Sequence, residues 1–142
     1  MRRLLLLLLL FSFFVGCGPK TVVVTGRVTF DGEPGKDINV LFQPITGGAA
    51  TVPPAAAGLT DAEGKYRLRL LGEQKKSGAI PGEYAVSLSW IDPNQDPLPE
   101  REGYVPNPVP YKVPEKALMG QLRFTVPPSG PVTADWAFTG ED

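Results

Sequence analysis

The sequence predicts an all-β domain of the sandwich type, and three observations carry this prediction. Apolar side chains recur at every second residue in several separate segments, which is the period of a strand with one buried face. Turn signals rich in Gly, Asp and Pro stand between those segments. The 142 residues include 16 Gly and 16 Pro, and no long stretch repeats with a helical period. Together these features indicate one domain built from short strands and many turns.

The first 16 residues are predicted to be a signal peptide and not part of the fold. Arg2 and Arg3 are followed by an apolar run over residues 4–15. A bilayer span needs about 20 apolar residues, so this run is short for a membrane helix and fits the apolar region of a secretory signal. A short transmembrane anchor is the alternative.

Cys17, the only cysteine, directly follows this apolar run. The segment Phe14-Val15-Gly16-Cys17 resembles the bacterial lipobox, although Phe14 stands where leucine is usual. The resemblance implies a cysteine that carries three acyl chains, palmitate among them, and becomes the mature N-terminus. Residues 17–21 would then be a lipidated tether, and Gly18 in place of aspartate favours the outer membrane. Cleavage nearby that leaves a free thiol is the alternative.

Charge argues against one class of partner. Removing residues 1–16 takes away Arg2 and Arg3 and no acidic residue, which leaves 12 basic against 15 acidic side chains, a net charge of about −3. Neither this balance nor any basic motif indicates binding to nucleic acid.

The stretch 22–44 predicts two strands joined by a turn, as a hairpin-like pair. Its first half places alternate apolar side chains on one face: Val22, Val24, Val28 and Phe30. The segment 31–35, Asp-Gly-Glu-Pro-Gly, is a strong turn signal because glycine adopts positive φ without steric cost. Its second half alternates again, with Ile38, Val40 and Phe42 on one face.

A second turn is predicted at 60–66, after a short strand near 57–60. Asp61 is placed to accept hydrogen bonds from backbone amides of the turn, and Gly64 suits a left-handed position. A calcium site at Asp61 and Glu63 is the alternative, but two carboxylates are few for an ion that takes six to eight oxygen ligands. The strand that follows has a core face of Tyr66, Leu68 and Leu70.

The second half of the chain predicts three more strands and one long irregular segment. Residues 84–90 alternate, with Tyr84, Val86, Leu88 and Trp90 on one face. Residues 92–120 are irregular, because proline supplies no amide donor for a central strand: Pro93, Pro97, Pro99, Pro106, Pro108, Pro110 and Pro114. The strands 122–126 and 132–138 close the chain, and Trp136 is predicted to be a core residue because it lies in the apolar series.

Five segments in this order resemble the carboxypeptidase regulatory-like domains of small bacterial lipoproteins. They are 26–29 (Gly-Arg-Val-Thr), 31–34 (Asp-Gly-Glu-Pro), 40–44 (Val-Leu-Phe-Gln-Pro), 60–66 and 81–88 (Pro-Gly-Glu-Tyr-Ala-Val-Ser-Leu). Those domains are similar to the transthyretin-like, prealbumin-type sandwich. The resemblance covers roughly residues 22–138 and implies a domain over 22–140, with a seven-stranded Greek-key sandwich and no catalysis. At the family's Ile-Pro-x-Lys-Tyr element this chain has Ala117 in place of tyrosine. Tyr104 and Tyr111 are expected to take its place in the packing, and a different course of the loop is the alternative.

No histidine occurs in the chain. This removes the usual general base, the commonest metal ligand and any Ser-His or Cys-His pair. The carboxylate pairs Asp92/Asp96 and Glu100/Glu102 have the residue types that flank a sugar in glycosidases, but they lie in the proline-rich segment without rigid support. We therefore predict no enzyme, no cofactor and no metal site.

Three hypotheses for function follow. The first is a non-catalytic protein that is exported, lipid-anchored to the envelope, and serves structural or protein-interaction roles. The second is a carbohydrate-binding module in which exposed rings stack on a sugar, with Tyr104, Tyr111 and Trp90 as the candidates; packing of these rings in the core or loops is the alternative. The third, a hydrolase, has the least support.

Overall fold

The structure, a computed structural model, describes residues 20–47, 52–72, 75–94 and 107–140. Within them the chain is nearly all β, which confirms the predicted class, and the strands form two sheets. The elements are β1 (Val24–Phe30), β2 (Glu33–Pro34), β3 (Ile38–Pro44), β4 (Ala56–Leu59), β5 (Lys65–Arg67), β6 (Arg69–Leu70), β7 (Gly82–Trp90), α1 (Glu115–Leu118), β8 (Leu122–Val126), β9 (Val132–Thr133) and β10 (Trp136–Phe138).

The larger sheet is antiparallel, with strand order β6-β4-β3-β7-β8. Its centre is the long pairing of β3 with β7, which runs from Ile38 opposite Trp90 to Pro44 opposite Tyr84. Both strands alternate buried and more exposed residues, so each contributes one apolar face. The core faces predicted for these two strands are confirmed.

The smaller sheet is built around β1. On one edge β1 pairs in parallel with β9 and β10, and on the other it pairs in antiparallel with β5 and β2. Thr25 shows both edges at once, since it lies between Arg67 of β5 and Thr133 of β9. Because its two edges are occupied, β1 is the central strand of this sheet.

The prediction that β1 and β3 form a hairpin-like pair is wrong, because the two strands lie in different sheets. The predicted turn does form, with positive φ at Asp31 and Gly32, but it leads only into the two-residue strand β2. Gly35 then packs against the Phe30 ring, and the chain crosses to the other sheet. Alternation identifies the face that a strand buries but not its neighbour, so it does not distinguish paired strands from stacked ones.

The described residues contain ten strand segments where seven strands were predicted. The run 65–70 counts as two strands, because it is interrupted at Leu68. Before Leu68 the run pairs with β1, and after it the run pairs with β4. The run 132–138 is interrupted at Ala134 and Asp135, and β2 is an additional short segment. The difference therefore comes from interruptions within predicted strands and from the turn at 31–32.

The core lies between the two sheets. Phe42 is fully buried, and its ring centroid lies 5.7 Å from that of Tyr84 and 5.6 Å from that of Phe124. Trp136, predicted to be a core residue, is half-buried and packs against this cluster. The fully buried large side chains come from both sheets and include Val24, Val28, Ile38, Val40, Leu68, Val86 and Leu88.

The described part of the segment 92–120, residues 92–94 and 107–120, contains one short helix that the sequence did not predict. Helix α1 packs against β7 through Ala117, which is fully buried. Pro114 precedes the helix, and Gly120, with φ of 65°, follows it. Four helical residues are too few to produce a detectable helical period, so the sequence pattern carries no signal for this element.

The turn before β5 forms as predicted. The Asp61 carboxylate accepts hydrogen bonds from the backbone amides of Glu63 (3.0 Å) and Lys65 (2.9 Å), through the same oxygen, Oδ1. The Asp61 amide donates to the Lys65 carbonyl at 2.9 Å, and Gly64 adopts a φ of 74°. Asp61 therefore has the turn-forming role that the sequence predicted for it.

We expect Asp61→Ala to lower the free energy of unfolding by about 1–2 kcal/mol, because two backbone amides lose their acceptor. The matched control is Glu63→Ala, because the carboxylate of Glu63 takes no part in the hydrogen bonds of this turn; its effect is expected to stay within about 0.5 kcal/mol. Chemical denaturation followed by circular dichroism measures both. If millimolar calcium stabilised the original chain and not Asp61→Ala, the calcium alternative would replace the turn interpretation.

Candidate functional site

An open groove of about 750 Å³ lies on the outer face of the smaller sheet and extends to β4. We call it the cationic groove. Its charged lining consists of Arg27, Lys65, Arg67 and Arg69, together with Asp61 and Asp135. Four of the chain's 14 Lys and Arg residues therefore meet on one face, although the chain as a whole has a net charge of −1.

Strand alternation builds this face. In the run 65–70 the residues alternate strictly, so Lys65, Arg67 and Arg69 are exposed while the residues between them are buried. The register then places Arg27 of β1 directly opposite Lys65. The basic residues of β5 and β6 are visible in the sequence as Lys-x-Arg-x-Arg, but Arg27 joins them only through pairing of distant segments.

Most of the groove's positive charge is not neutralised by the residues that the structure describes. Arg27 Nε donates to the Glu63 backbone carbonyl at 2.9 Å, which holds the guanidinium in place without an ion pair. The side chains of Lys65, Arg67 and Arg69 have neither an ion pair nor a hydrogen bond with any residue that the structure describes. These three cations are therefore available to a ligand.

The two carboxylates of the groove are engaged with backbone amides. Asp135 Oδ1 accepts from the Arg27 amide at 2.8 Å, and Asp61 Oδ1 accepts the two amide bonds of its turn. Each carboxylate thus stabilises a local backbone conformation. Both lie toward the Arg27 and Lys65 side of the groove, so Arg67 and Arg69 form its more positive part.

The floor of the groove contains Tyr66, whose hydroxyl is buried. The hydroxyl donates to the Ala134 carbonyl at 2.6 Å and accepts from Trp136 Nε1 at 3.0 Å. Burial raises the pKa of the Tyr66 phenol well above its ordinary value; the hydrogen bond from Trp136 lowers it in part, and Asp135 raises it further. The phenol is therefore neutral near pH 7 and serves as a structural hydrogen-bonding group.

A second, smaller cleft of about 330 Å³ brings together two of the aromatic residues predicted as sugar contacts, Trp90 and Tyr111. Asp92 and Asn107 also line it, and Asn107 Nδ2 donates to Asp92 Oδ2 at 2.6 Å. Trp90 and Tyr111 come from segments far apart in the sequence and are both half-buried. We call this the Trp90–Tyr111 cleft.

Tyr111 is also a packing residue. Its ring stacks on Phe30 with a centroid distance of 4.9 Å and an interplanar angle of 19°, and its hydroxyl accepts from the Lys36 amide at 2.9 Å. One face of the ring is therefore covered by protein. The alternative that the sequence left open, packing in a loop, applies to Tyr111 at least in part.

Several predicted site residues lie outside the described residues. They are Cys17, Tyr104 and three of the four paired carboxylates, Asp96, Glu100 and Glu102. Of those pairs only Asp92 is described, at the Trp90–Tyr111 cleft. The signal peptide, residues 1–16, also lies outside the described residues.

Among the described residues, no three cysteine, aspartate or glutamate side chains are grouped so that they could hold a metal ion. In the same part of the chain, no helix is long and apolar enough to cross a membrane. Comparison with family models, with curated proteins and with solved structures finds no match for this chain.

Proposed function

We propose that this is a non-catalytic envelope protein, exported by residues 1–16 and lipid-anchored at Cys17 to the outer membrane, whose β-sandwich serves protein contacts. The observation that carries the contact role is the cationic groove, an open surface with three basic side chains that no described residue neutralises. The resemblance to carboxypeptidase regulatory-like domains supports a transthyretin-like Greek-key arrangement as the scaffold.

The short segment between Cys17 and β1 would hold the groove close to the membrane. Thr25, which lines the groove, follows Cys17 by only eight residues. An extended chain spans at most about 3.3–3.6 Å per residue, so a lipidated Cys17 keeps the groove within about 30 Å of the membrane surface. Partners that lie on or near that surface are therefore the ones that the groove can meet. Stable anchoring needs at least two acyl chains, which the lipobox-like segment implies.

We expect Cys17→Ser to move the protein from the membrane fraction to the soluble fraction, because serine cannot carry the thioether-linked lipid. Fractionation of the producing cells, together with the mass of the N-terminal peptide, measures this. Thr21→Ser is the matched control, since it changes the same tether and leaves the cysteine. Recovery of the original mature chain in the soluble fraction, with an unmodified Cys17, would reject the anchor.

The Trp90–Tyr111 cleft favours a second candidate function, binding of a carbohydrate at the cell surface. The cleft combines aromatic rings with the side-chain oxygens and nitrogens of Asp92 and Asn107, and few, well-placed polar groups beside apolar surface are typical of small-ligand sites. Asn107 is exposed, so its removal disturbs the core little.

If a glycan binds this cleft, Asn107→Ala is expected to weaken binding about 5- to 20-fold, because the amide lost is one that can bond a sugar hydroxyl. A glycan array identifies the ligand, and calorimetry then compares the variant with the original chain. Gln121→Ala, an exposed amide outside the residues that line the cleft, is the control. A glycan that binds all three proteins equally would exclude this cleft as its site.

A further inference from the structure

We infer that the cationic groove binds an acidic protein segment in extended conformation, with carboxylates at alternate residues. The inference rests on the protein-contact role proposed above and supplies the chemistry of the partner. Three properties of the groove carry it: the spacing of its cations, the placement of two of them directly opposite each other, and the presence of two carboxylates beside them.

The spacing of the cations matches an extended peptide. Lys65, Arg67 and Arg69 lie at every second residue of the run 65–70 and are all exposed, although the run passes from the smaller to the larger sheet at Leu68. A strand rises about 3.3 Å per residue, so neighbouring cations are about 6.6 Å apart along the chain. A ligand peptide in extended conformation repeats its side chains on one face at the same distance. Alternate glutamates or aspartates can therefore meet successive cations.

Two basic residues of the groove, Arg27 and Lys65, lie directly opposite each other on paired strands. The Val28 amide donates to the Gly64 carbonyl, so the neighbouring residues Arg27 and Lys65 form a pair without hydrogen bonds between them. In such pairs the Cα atoms are about 4.5 Å apart and the side chains are at their closest. Like charges directly opposite each other destabilise a sheet, and a carboxylate placed between them removes that cost.

The arginines of the groove favour a partner with individual carboxylates over a surface with evenly spread negative charge. The guanidinium presents parallel N–H donors that match the two oxygens of a carboxylate, and Arg67 and Arg69 both have these donors free of described partners. Lys65 adds a single point charge. The groove thus offers two bidentate positions and one simple electrostatic contact.

The two acidic side chains in the groove favour a peptide over a membrane surface. Asp61 and Asp135 line the same groove as the cations. A continuous anionic surface would bring negative charge against these carboxylates as well as against the cations. An alternating peptide places uncharged residues between its carboxylates and can avoid that repulsion.

The test uses the whole chain, purified in mild detergent, and two labelled peptides of equal length, composition and charge. One peptide alternates glutamate and threonine; the other has all its glutamates in one block. Fluorescence anisotropy measures both affinities at low salt. We expect the alternating peptide to bind at least about fivefold tighter, and its affinity to fall as salt rises because the contacts are exposed.

Two charge-matched variants locate the site. Arg67→Gln combined with Arg69→Gln is expected to weaken binding of the alternating peptide about tenfold, because it removes both bidentate donors. Lys36→Gln combined with Lys112→Gln removes the same charge outside the groove and is expected to change affinity less than about twofold. Circular dichroism and thermal unfolding confirm that both variants are folded.

Four results would overturn the inference: no binding, equal binding of the two peptides, equal weakening by both variants, or an unchanged affinity in the groove variant. Binding to vesicles that contain anionic phospholipid, with no binding to the alternating peptide, would assign the groove to the membrane instead. The peptide experiment does not depend on lipidation. Failure of the anchor at Cys17 and failure of the acidic partner are therefore distinguishable results.

Discussion

Replacing Gly26 by alanine is expected to lower the free energy of unfolding by about 3 kcal/mol or more, the upper part of the range for overpacking. A Cβ at this position would lie 1.8 Å from the Ala134 carbonyl oxygen and 2.8 Å from the Tyr66 ring. The first of these atoms is backbone, so no side-chain rotation relieves the clash. The φ of Gly26 is outside the left-handed region, which leaves space as the reason for glycine.

The expected structural consequence is separation of β1 from the strand segments beside it. The Ala134 amide donates to the Thr25 carbonyl at 2.8 Å, and a shift of Ala134 breaks this bond. Domains of this kind have a total stability of about 5–15 kcal/mol, so the loss is a large part of it. The chain would then unfold at a much lower denaturant concentration, or fail to fold.

Gly47→Ala is the matched control, because a Cβ there meets no described atom within 4 Å and the φ of Gly47 lies outside the left-handed region. We expect a change within about 0.5 kcal/mol. Chemical denaturation followed by circular dichroism compares the two variants with the original chain. Equal stability of Gly26→Ala and Gly47→Ala would mean that β1 and Ala134 are not in the close contact described.

Tyr66→Phe is expected to lower the free energy of unfolding by about 1–3 kcal/mol. The substitution keeps the ring and removes one hydroxyl, so it leaves almost no cavity. It takes the donor from the Ala134 carbonyl and the acceptor from Trp136 Nε1, both of which the structure bonds to this hydroxyl. Two polar groups next to the core lose their partner, and that accounts for most of the cost.

Tyr84→Phe provides the comparison, since its hydroxyl makes one hydrogen bond, to the Ile80 carbonyl at 2.7 Å. We expect the loss for Tyr84→Phe to be about half that for Tyr66→Phe, because one bond is removed in place of two. Denaturant titration at pH 7 measures both losses. A larger loss for Tyr84→Phe would contradict the importance given to the Tyr66 network.

The raised pKa of the Tyr66 phenol leads us to expect that the free energy of unfolding falls at alkaline pH. Burial raises its pKa in the folded protein, whereas in the unfolded chain it ionises near its ordinary value of about 10. The unfolded state thus releases a proton first, so stability is fully present below about pH 10 and is lost as pH rises toward the folded pKa. In Tyr66→Phe the decline should be shallower, although Tyr84, whose pKa burial also raises, contributes in the same direction. Equal slopes for the two proteins above pH 10 would contradict this role.

The predictions that succeeded depend on interactions between residues close in sequence. The core face of Tyr66, Leu68 and Leu70 follows from strand alternation, and all three are buried. The turn at Asp61 follows from short-range hydrogen bonding of its side chain, and the structure contains those bonds. Such patterns determine which face of a strand is apolar and where the chain turns, whatever the sheet to which the strand belongs.

Only the tertiary structure decided which segments become neighbours. β1 lies beside β5 and β9 and not beside β3, and this pairing brings Arg27 to Lys65. The Tyr66 hydroxyl meets Ala134 and Trp136, nearly 70 residues further along the chain. The sequence by itself determined the all-β class, the apolar faces and the turns. The sheet edges and the cationic groove arise from pairing of distant strands, and the Trp90–Tyr111 cleft from packing of the segment 107–111 beside Trp90. Alternation with a period of two encodes neither.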